Sequence, residues 1–316
     1  MSLNLQGIPQ LFKHSKEVKT GTGNVRTGQA SIIVGKESGS DFDDIQEAIN
    51  SVNNTGALIY IKAGTYEITE LNLKSNITLE GEGEHTIIDI TAGTNDYGKL
   101  DLSSTDGVSI KNMTIKLRGD VSGSVAWCSI KLDSVTDLNI ENVNFENYVD
   151  NEGSSDVGFF RATTGTSTLR LINCEFSNKE SGSAYNIFLN TAMTNSLIVG
   201  NSESGNMELL GDTGNGGDIT LNRFIGNSCK GFSILGQTGQ NIDNNIFLGN
   251  KFYYLEFGDE GTCNNNVISS NYLTGGAGSR IYLGTNSNYN SVTGNVHDAT
   301  NYNNGTGNIF SGDVQY

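Results

Sequence analysis

The chain has 316 residues, of which 40 are Gly and 1 is Pro, and its 35 acidic against 19 basic side chains give a formal charge of −16. That balance excludes nucleic acid as a partner, because phosphates call for Lys and Arg, and it excludes an anionic membrane surface. It leaves a solvated acidic surface that keeps the particle soluble, or an acidic groove for cations.

Residues 1–30 read as an arm or adaptor. They hold Pro9, a mildly basic stretch (Lys13, His14, Lys16, Lys19) and a Gly/Thr-rich link at 21–28. They contain no apolar run of signal-peptide length, and no later stretch suits a transmembrane helix. A strand-like run at 31–34 follows. The one helical pattern is 41–52, with Ile45, Ala48, Ile49 and Val52 on one face. Asp41 or Asp43 is placed to cap it. Such a helix can close the end of a sheet stack.

From Ile59 onward the chain reads as short strands broken by Gly, Asn and Ser. A phrase then recurs: LNIENVNFEN at 138–147, LRLINCEFSN at 169–178, ITLNRFIGN at 219–227 and IDNNIFLGN at 242–250. Its closing Asn residues fall at 147, 178, 206, 227, 250, 271 and 295. Intervals of roughly 20 to 30 residues mark a solenoid. No helix sits between strands, so each repeat is strands and corners only, which is a parallel β-helix. Each coil then pairs with its neighbours about 4.8 Å away. Asn and Gly suit the left-handed corners, and Pro would remove a ladder donor. The coils between about 112 and 206 are longer, with the excess at 118–127, 148–156 and 179–184, whereas those from about 206 to 300 are short. Function gathers on such insertions. The four Cys lack a CxxC pair, which argues for buried free thiols and against zinc.

The text DFDDIQEAIN at 41–50, IYIKAGTYE at 59–67 and NITLEGEG at 76–83 resembles the opening of the pectin-lyase-like superfamily, and the Asn phrases look like its generic coil. The resemblance covers nearly everything after residue 30. It implies an all-β chain: a single-stranded right-handed parallel β-helix over 31–316 with an N-terminal capping helix. It also implies action on polysaccharides, because the superfamily holds lyases, esterases, hydrolases, epimerases and glycan-binding viral tailspikes. The Gly-His-Gly of polygalacturonases and the Arg-Pro-Trp of pectin methylesterases are missing here.

Glycoside cleavage needs two carboxyl groups. The densest acidic loop holds Asp150, Glu152 and Asp156, with Arg161 beyond it. It reads either as an acid pair or Ca2+ site, or as a solvated insertion. No cofactor is called for. Sugar recognition needs aromatic faces and planar donors, and Trp127, Tyr148, Tyr253, Arg280 and Tyr282 are the candidates, with Phe252 and Phe257 read as core. Three functions are in view. The first is an extracellular or virion-surface protein of the tailspike kind that binds, and in some such proteins degrades, host polysaccharide. Resemblance to tailspikes implies a homotrimer, with the arm attached to a larger assembly. The second is a secreted lyase or hydrolase acting on acidic glycans. The third is a purely structural fibre protein.

Overall fold

The computed structural model describes residues 30–53, 56–91, 99–120, 127–150, 157–161, 166–178, 185–189, 193–203, 206–210, 218–229, 231–235, 239–257, 261–274, 279–297 and 301–315. Most of the arm and the centres of the three insertions (121–126, 151–156, 179–184) lie outside the described residues. Among those described there are 36 strands and one helix.

The strands form where apolar residues alternate with polar ones. Ala57–Ile61 and Ile77–Gly81 both bury their first, third and fifth residues, so one face of each strand builds the core and the other meets solvent. Twelve strands succeed one another in a long wall that runs from Ala30–Val34 to Ile309–Ser311. The pairing is parallel and in register, so one residue of each coil stands on its counterpart below. Ile59, Leu79, Ile110, Ile140 and Leu171 make the lower half of one such column. Ile198, Phe224, Phe247, Ile268 and Val292 continue it. All ten are almost wholly buried, each worth about 1.5–3 kcal/mol against exposure. A slip of one residue would turn the column into solvent. The connections are right-handed, as for parallel crossovers generally, and the fold is a right-handed parallel β-helix.

The helix, α1 (Ile45–Ser51), is shorter than the expected 41–52, and neither Asp41 nor Asp43 caps it. Asp44 does, accepting from the Glu47 amide at 2.8 Å. Asp41 Oδ2 instead accepts from the Ile33 amide at 3.0 Å, which ties the preceding loop to the first strand. α1 packs on Ala30–Val34, Ala57–Ile61 and Leu71–Asn72 and buries Ile45, Ala48 and Ile49.

Asparagine serves the corners in two different ways. Asn142 and Asn173 stand at the outer bend in the left-handed region, with φ of 54° and 52°. Later coils put Gly200, Gly226, Gly249 and Gly294 at the same bend. The residue after each of those glycines is an inward Asn: Asn201, Asn227, Asn250 and Asn295. These are buried and form a ladder. Asn250 Oδ1 accepts from the Asn227 amide and side chain, while Asn250 Nδ2 donates to Phe224 O and to Asn271 Oδ1. A second column runs through Asn222, Asn245, Asn266 and Asn290 to Asn308. The first column ends on Asp313, whose Oδ1 accepts from the Asn295 amide and side chain. The sequence pattern placed Asn206 in the series. The structure puts Asn201 there, and Asn206 opens the strand Asn206–Leu210.

Candidate recognition surface on the outer wall

The long strands Ser109–Asp120 and Asn139–Asp150 each bend at a left-handed Asn, Asn112 and Asn142. The coil below bends at Gly81, where a Cβ would fall 2.3 Å from Asn112 O, so only Gly lets these two backbones approach. The bend opens a cleft of about 440 Å³ whose lining includes Tyr60, Glu80, Glu82, Asn112, Asn142 and Asn144. Asn142 Nδ2 donates to Asn112 Oδ1 at 3.2 Å, and Asn112 Nδ2 reaches Glu80 Oε1 at 3.4 Å. Burial, then the charges of Glu82 and Glu80, push the Tyr60 phenol up, which keeps it a donor. Asn144 Oδ1 is shielded from solvent and has no hydrogen-bond partner among the described residues.

Beyond Asn144 the same strands continue outward, and alternation puts every second side chain on the surface. Asp89, Lys116 and Glu146 share one register row. Arg118 and Tyr148 share the next. Arg118 Nε donates to both Asp89 oxygens, at 2.9 and 3.0 Å, and this hydrogen bond is the main cause that raises its already high pKa. Lys116 Nζ lies 3.3 Å from Glu146 Oε2, with both side chains mostly shielded (20% and 15% exposed). The Tyr148 hydroxyl donates to the same Glu146 oxygen at 3.0 Å. The Arg118 guanidinium carbon sits 4.6 Å, and Lys116 Nζ 5.7 Å, from the centre of the Tyr148 ring. Each such contact is worth about 0.5–1 kcal/mol at an exposed site. Burial, then the bond to Glu146, pushes the Tyr148 phenol up.

This arrangement has a definite chemical character. Tyr60 and Tyr148 hold their protons; Tyr60 presents a donor, while the Tyr148 hydroxyl is engaged by Glu146 and leaves its ring as the contact. Asp89 and Glu146 stand two coils apart, about 9.6 Å by strand spacing, close to the separation of an inverting carboxyl pair. Each, however, is already engaged by a cation, and Glu146 by a phenol too. The surface suits binding of a polyhydroxylated chain better than proton transfer.

The residues singled out from sequence do not converge. Tyr148 belongs to this surface. Asp150 ends its strand, paired with Asp120 along the backbone, but its side chain, and all of Glu152 and Asp156, lie outside the described residues. Trp127 and Arg161 sit on a neighbouring sheet, in Trp127–Lys131 and Val157–Arg161, and their side chains are likewise not among those described. Arg280, just before the strand Ile281–Leu283, lies 6.0 Å from the ring of Tyr282 within it, on a third sheet where Tyr282 stacks in register on Glu256. Tyr253 meets Tyr254 edge to face at 6.1 Å, between Lys251–Phe252 and Leu255–Phe257. Phe159 and Phe160 are core, packed around the stacked pair Phe145 and Phe176. Asp89, Lys116, Arg118 and Glu146 were missed. Their signal was present: Lys116-x-Arg118 and Glu146-x-Tyr148 are the same positions of consecutive coils.

Among the described residues no group of three His, Cys, Asp or Glu side chains is placed to hold a metal ion. Cys174, Cys229 and Cys263 are buried. No described helix is long and apolar enough to cross a membrane.

A family model described as rhamnogalacturonase A/epimerase, pectate lyase-like matches residues 31–231. No curated protein matches the chain. Among solved structures, the chain is similar to the mannuronan C-5 epimerase AlgE6 A-module of Azotobacter vinelandii, with 16% identity over 86% of this chain and 94% of that one and a TM-score of 0.38. ORF18 of Geobacillus virus E2 gives 17% identity over 90% and 62%, with a TM-score of 0.44. The tailspike of E. coli bacteriophage HK620, in complex with a pentasaccharide, gives 14% over 90% and 65%, also at 0.44. The chain thus spans less than two thirds of the two phage proteins.

Proposed function

We propose that this chain, which belongs to the rhamnogalacturonase A/epimerase, pectate lyase-like family, is a β-helix that binds a polysaccharide on the outer wall of its early coils. The observation that carries this reading is the Tyr148 ring, held by Arg118 and Lys116 beside a cleft of amides and phenols. Sugars are recognised by flat faces for their C–H edges and by fixed donors and acceptors for their hydroxyls. The cleft supplies Asn112, Asn142, Asn144 and Tyr60, and the adjoining rows supply the ring.

Within that reading, the protein acts at a virion surface as a host-attachment spike. The absence of the pectinase motifs and the distinct composition of residues 1–30 support this placement, with the arm joining a larger assembly and three copies forming the spike. The test is binding of the full chain to a panel of neutral and acidic oligosaccharides by calorimetry, alongside Tyr148→Ala. Binding that weakens about tenfold or more in the variant, roughly 1.4 kcal/mol, supports the site. Binding unchanged in Tyr148→Ala removes it. New reducing ends, or absorbance from unsaturated uronates, would convert the reading to a hydrolase or lyase. In that case Asp150→Ala with Glu152→Ala asks whether the acidic loop does the chemistry. If no glycan binds and none is cut, the structural-fibre reading replaces it.

A further inference from the structure

The chain leaving the strand Ile77–Gly81 reads Glu80-Gly81-Glu82-Gly83-Glu84. The backbone dictates both glycines. Gly81 meets Asn112 O, as described above, and Gly83 has a φ of 127° while its amide donates to the same oxygen at 3.1 Å. The side chains this turn presents are therefore the three glutamates, and all three line the cleft beside Asn112, Asn142 and Asn144.

No cation of the wall is turned toward them. Lys111 Nζ lies 3.4 Å from Glu141, Lys116 Nζ 3.3 Å from Glu146, and Arg118 is bound to Asp89. Lys62, in the coil below, faces Glu37 at 3.8 Å. Among the described residues Glu80, Glu82 and Glu84 have no Lys or Arg within ion-pair distance. Their contacts are Asn112 Nδ2 at 3.4 Å, the Ala63 amide at 2.9 Å and the exposed His85 ring at 3.8 Å, respectively. The Tyr60 phenol registers the resulting field, since after burial it is Glu82 and Glu80 that push it up.

Hydrogen bonding points the same way. A carboxylate accepts and donates nothing. Asn144 Oδ1, shielded and without a partner among the described residues, is a further acceptor. One N–H of Asn142 goes to Asn112 Oδ1 and one of Asn112 to Glu80. The cleft thus asks its ligand for donors. Sugar hydroxyls and amines supply them, whereas an ionised uronate or sulfate group brings acceptors and a second negative charge.

We propose that the glycan taken by this cleft carries no anionic group, and that Glu80, Glu82 and Glu84 turn uronate and sulfated chains away. This selectivity presupposes the glycan site proposed above and names its substrate class. Specificity of this kind comes from repulsion built against the wrong ligand as well as from contacts to the right one. A polyuronate meets that repulsion at every charged sugar that enters. The three glutamates do not form a group placed to hold a cation that could bridge to an acidic chain.

The test is calorimetry of the full chain at about pH 8, where an exposed imidazole is uncharged, in EDTA. The neutral panel is set beside polygalacturonate and mannuronate oligosaccharides, and the carboxyl-reduced forms of both join the neutral set so that length and linkage are matched. At low salt the best neutral chain should bind about tenfold or more tighter than the best uronate. Salt of about 0.5 M should narrow that gap, because exposed charges are screened within a few ångströms there. Glu82→Gln with Glu84→Gln, both exposed and both keeping an acceptor, should narrow it about threefold or more at low salt, with an unchanged circular dichroism melt. Glu256→Gln, on the third sheet, should not narrow it. A uronate that binds as tightly as the best neutral chain overturns the proposal. So does a gap that the double variant leaves unchanged, or a uronate that binds once Ca2+ replaces EDTA. Each of those results leaves the glycan site standing. If no chain binds, neutral or anionic, the site and its selectivity fall together.

Discussion

The coils between Thr86 and Asn178 and those between Ser196 and His297 share one strand register, yet they distribute polarity in opposite ways. At one inner corner the early coils hold Met113, Val143 and Cys174, and the late coils hold Asn201, Asn227, Asn250, Asn271 and Asn295. The early coils keep this corner apolar and place charges, amides and Tyr148 on the outer wall. The late coils turn their hydrogen bonding inward and leave the wall plain. The lesson is that the repeat fixes only backbone register. Each stretch of coils then allots its polar side chains either to holding the stack or to meeting a ligand.

The largest expected effect tests that division. Asn250→Ala strands the amide and side chain of Asn227, the carbonyl of Phe224 and the acceptor of Asn271, at about 3 kcal/mol. Asn142→Ala, at an exposed early corner, loses its tolerance of positive φ and one exposed hydrogen bond to Asn112 Oδ1, together about 1–2 kcal/mol. Urea midpoints of the two variants should differ accordingly, and equal losses would break the comparison.

Next comes alkali. Burial pushes the Cys174 thiol from its usual 9.0 up to about 12. A group whose folded pKa is raised stabilises fully below its unfolded value and loses that contribution as pH climbs through the folded one. Stability should therefore fall between about pH 9 and pH 12. Cys174→Val should flatten that fall relative to the wild type, in melts recorded across the window. A parallel fall in both would mean that other groups govern it.

A smaller effect concerns the surfaces. Tyr148→Phe removes the bond to Glu146 but keeps the ring, so glycan affinity should drop less than threefold, under about 0.7 kcal/mol. The matched change on a late coil, Tyr272→Phe, should alter nothing measurable by calorimetry. The smallest effect is a gain. Leu221→Asn relieves an exposed left-handed Leu and should raise the melting midpoint, for up to about 1 kcal/mol. A lower midpoint would show that Leu221 contributes packing its exposure does not reveal.

The fold was legible because a phrase recurring at a shrinking interval admits few architectures, and register follows once the apolar columns are aligned. What each Asn does was not. Asn142 follows Ile140-Glu141 and Asn227 follows Ile225-Gly226 in similar phrases, but one is at the left-handed bend and the other is one residue past it, and in a chain that turns there the offset exchanges outside for inside. Cys174 could be read as a small buried hydrophobe, since it stands among Leu171 and Phe176. The recognition surface was half visible. Tyr148 stood out as an aromatic in a long coil, whereas its partners emerge only when positions one coil apart are compared. Arg280, Tyr282 and Tyr253 resembled Tyr148 in type, but a solenoid has several walls, and residue type does not say which wall a side chain faces.

The Asn columns also carry a direction. In the first, each amide sends one N–H to the Asn Oδ1 of the next coil and the other back to a backbone carbonyl of the coil before, while its own C=O faces the coil before. Aligned amides add, as peptide units do in a helix, so each column is a dipole built from side chains, positive at the end nearest residue 315. The first column meets the carboxylate of Asp313 there. A carboxylate can accept but has no N–H to hand on, so Asp313 both ends the relay and sets a negative group against its positive pole.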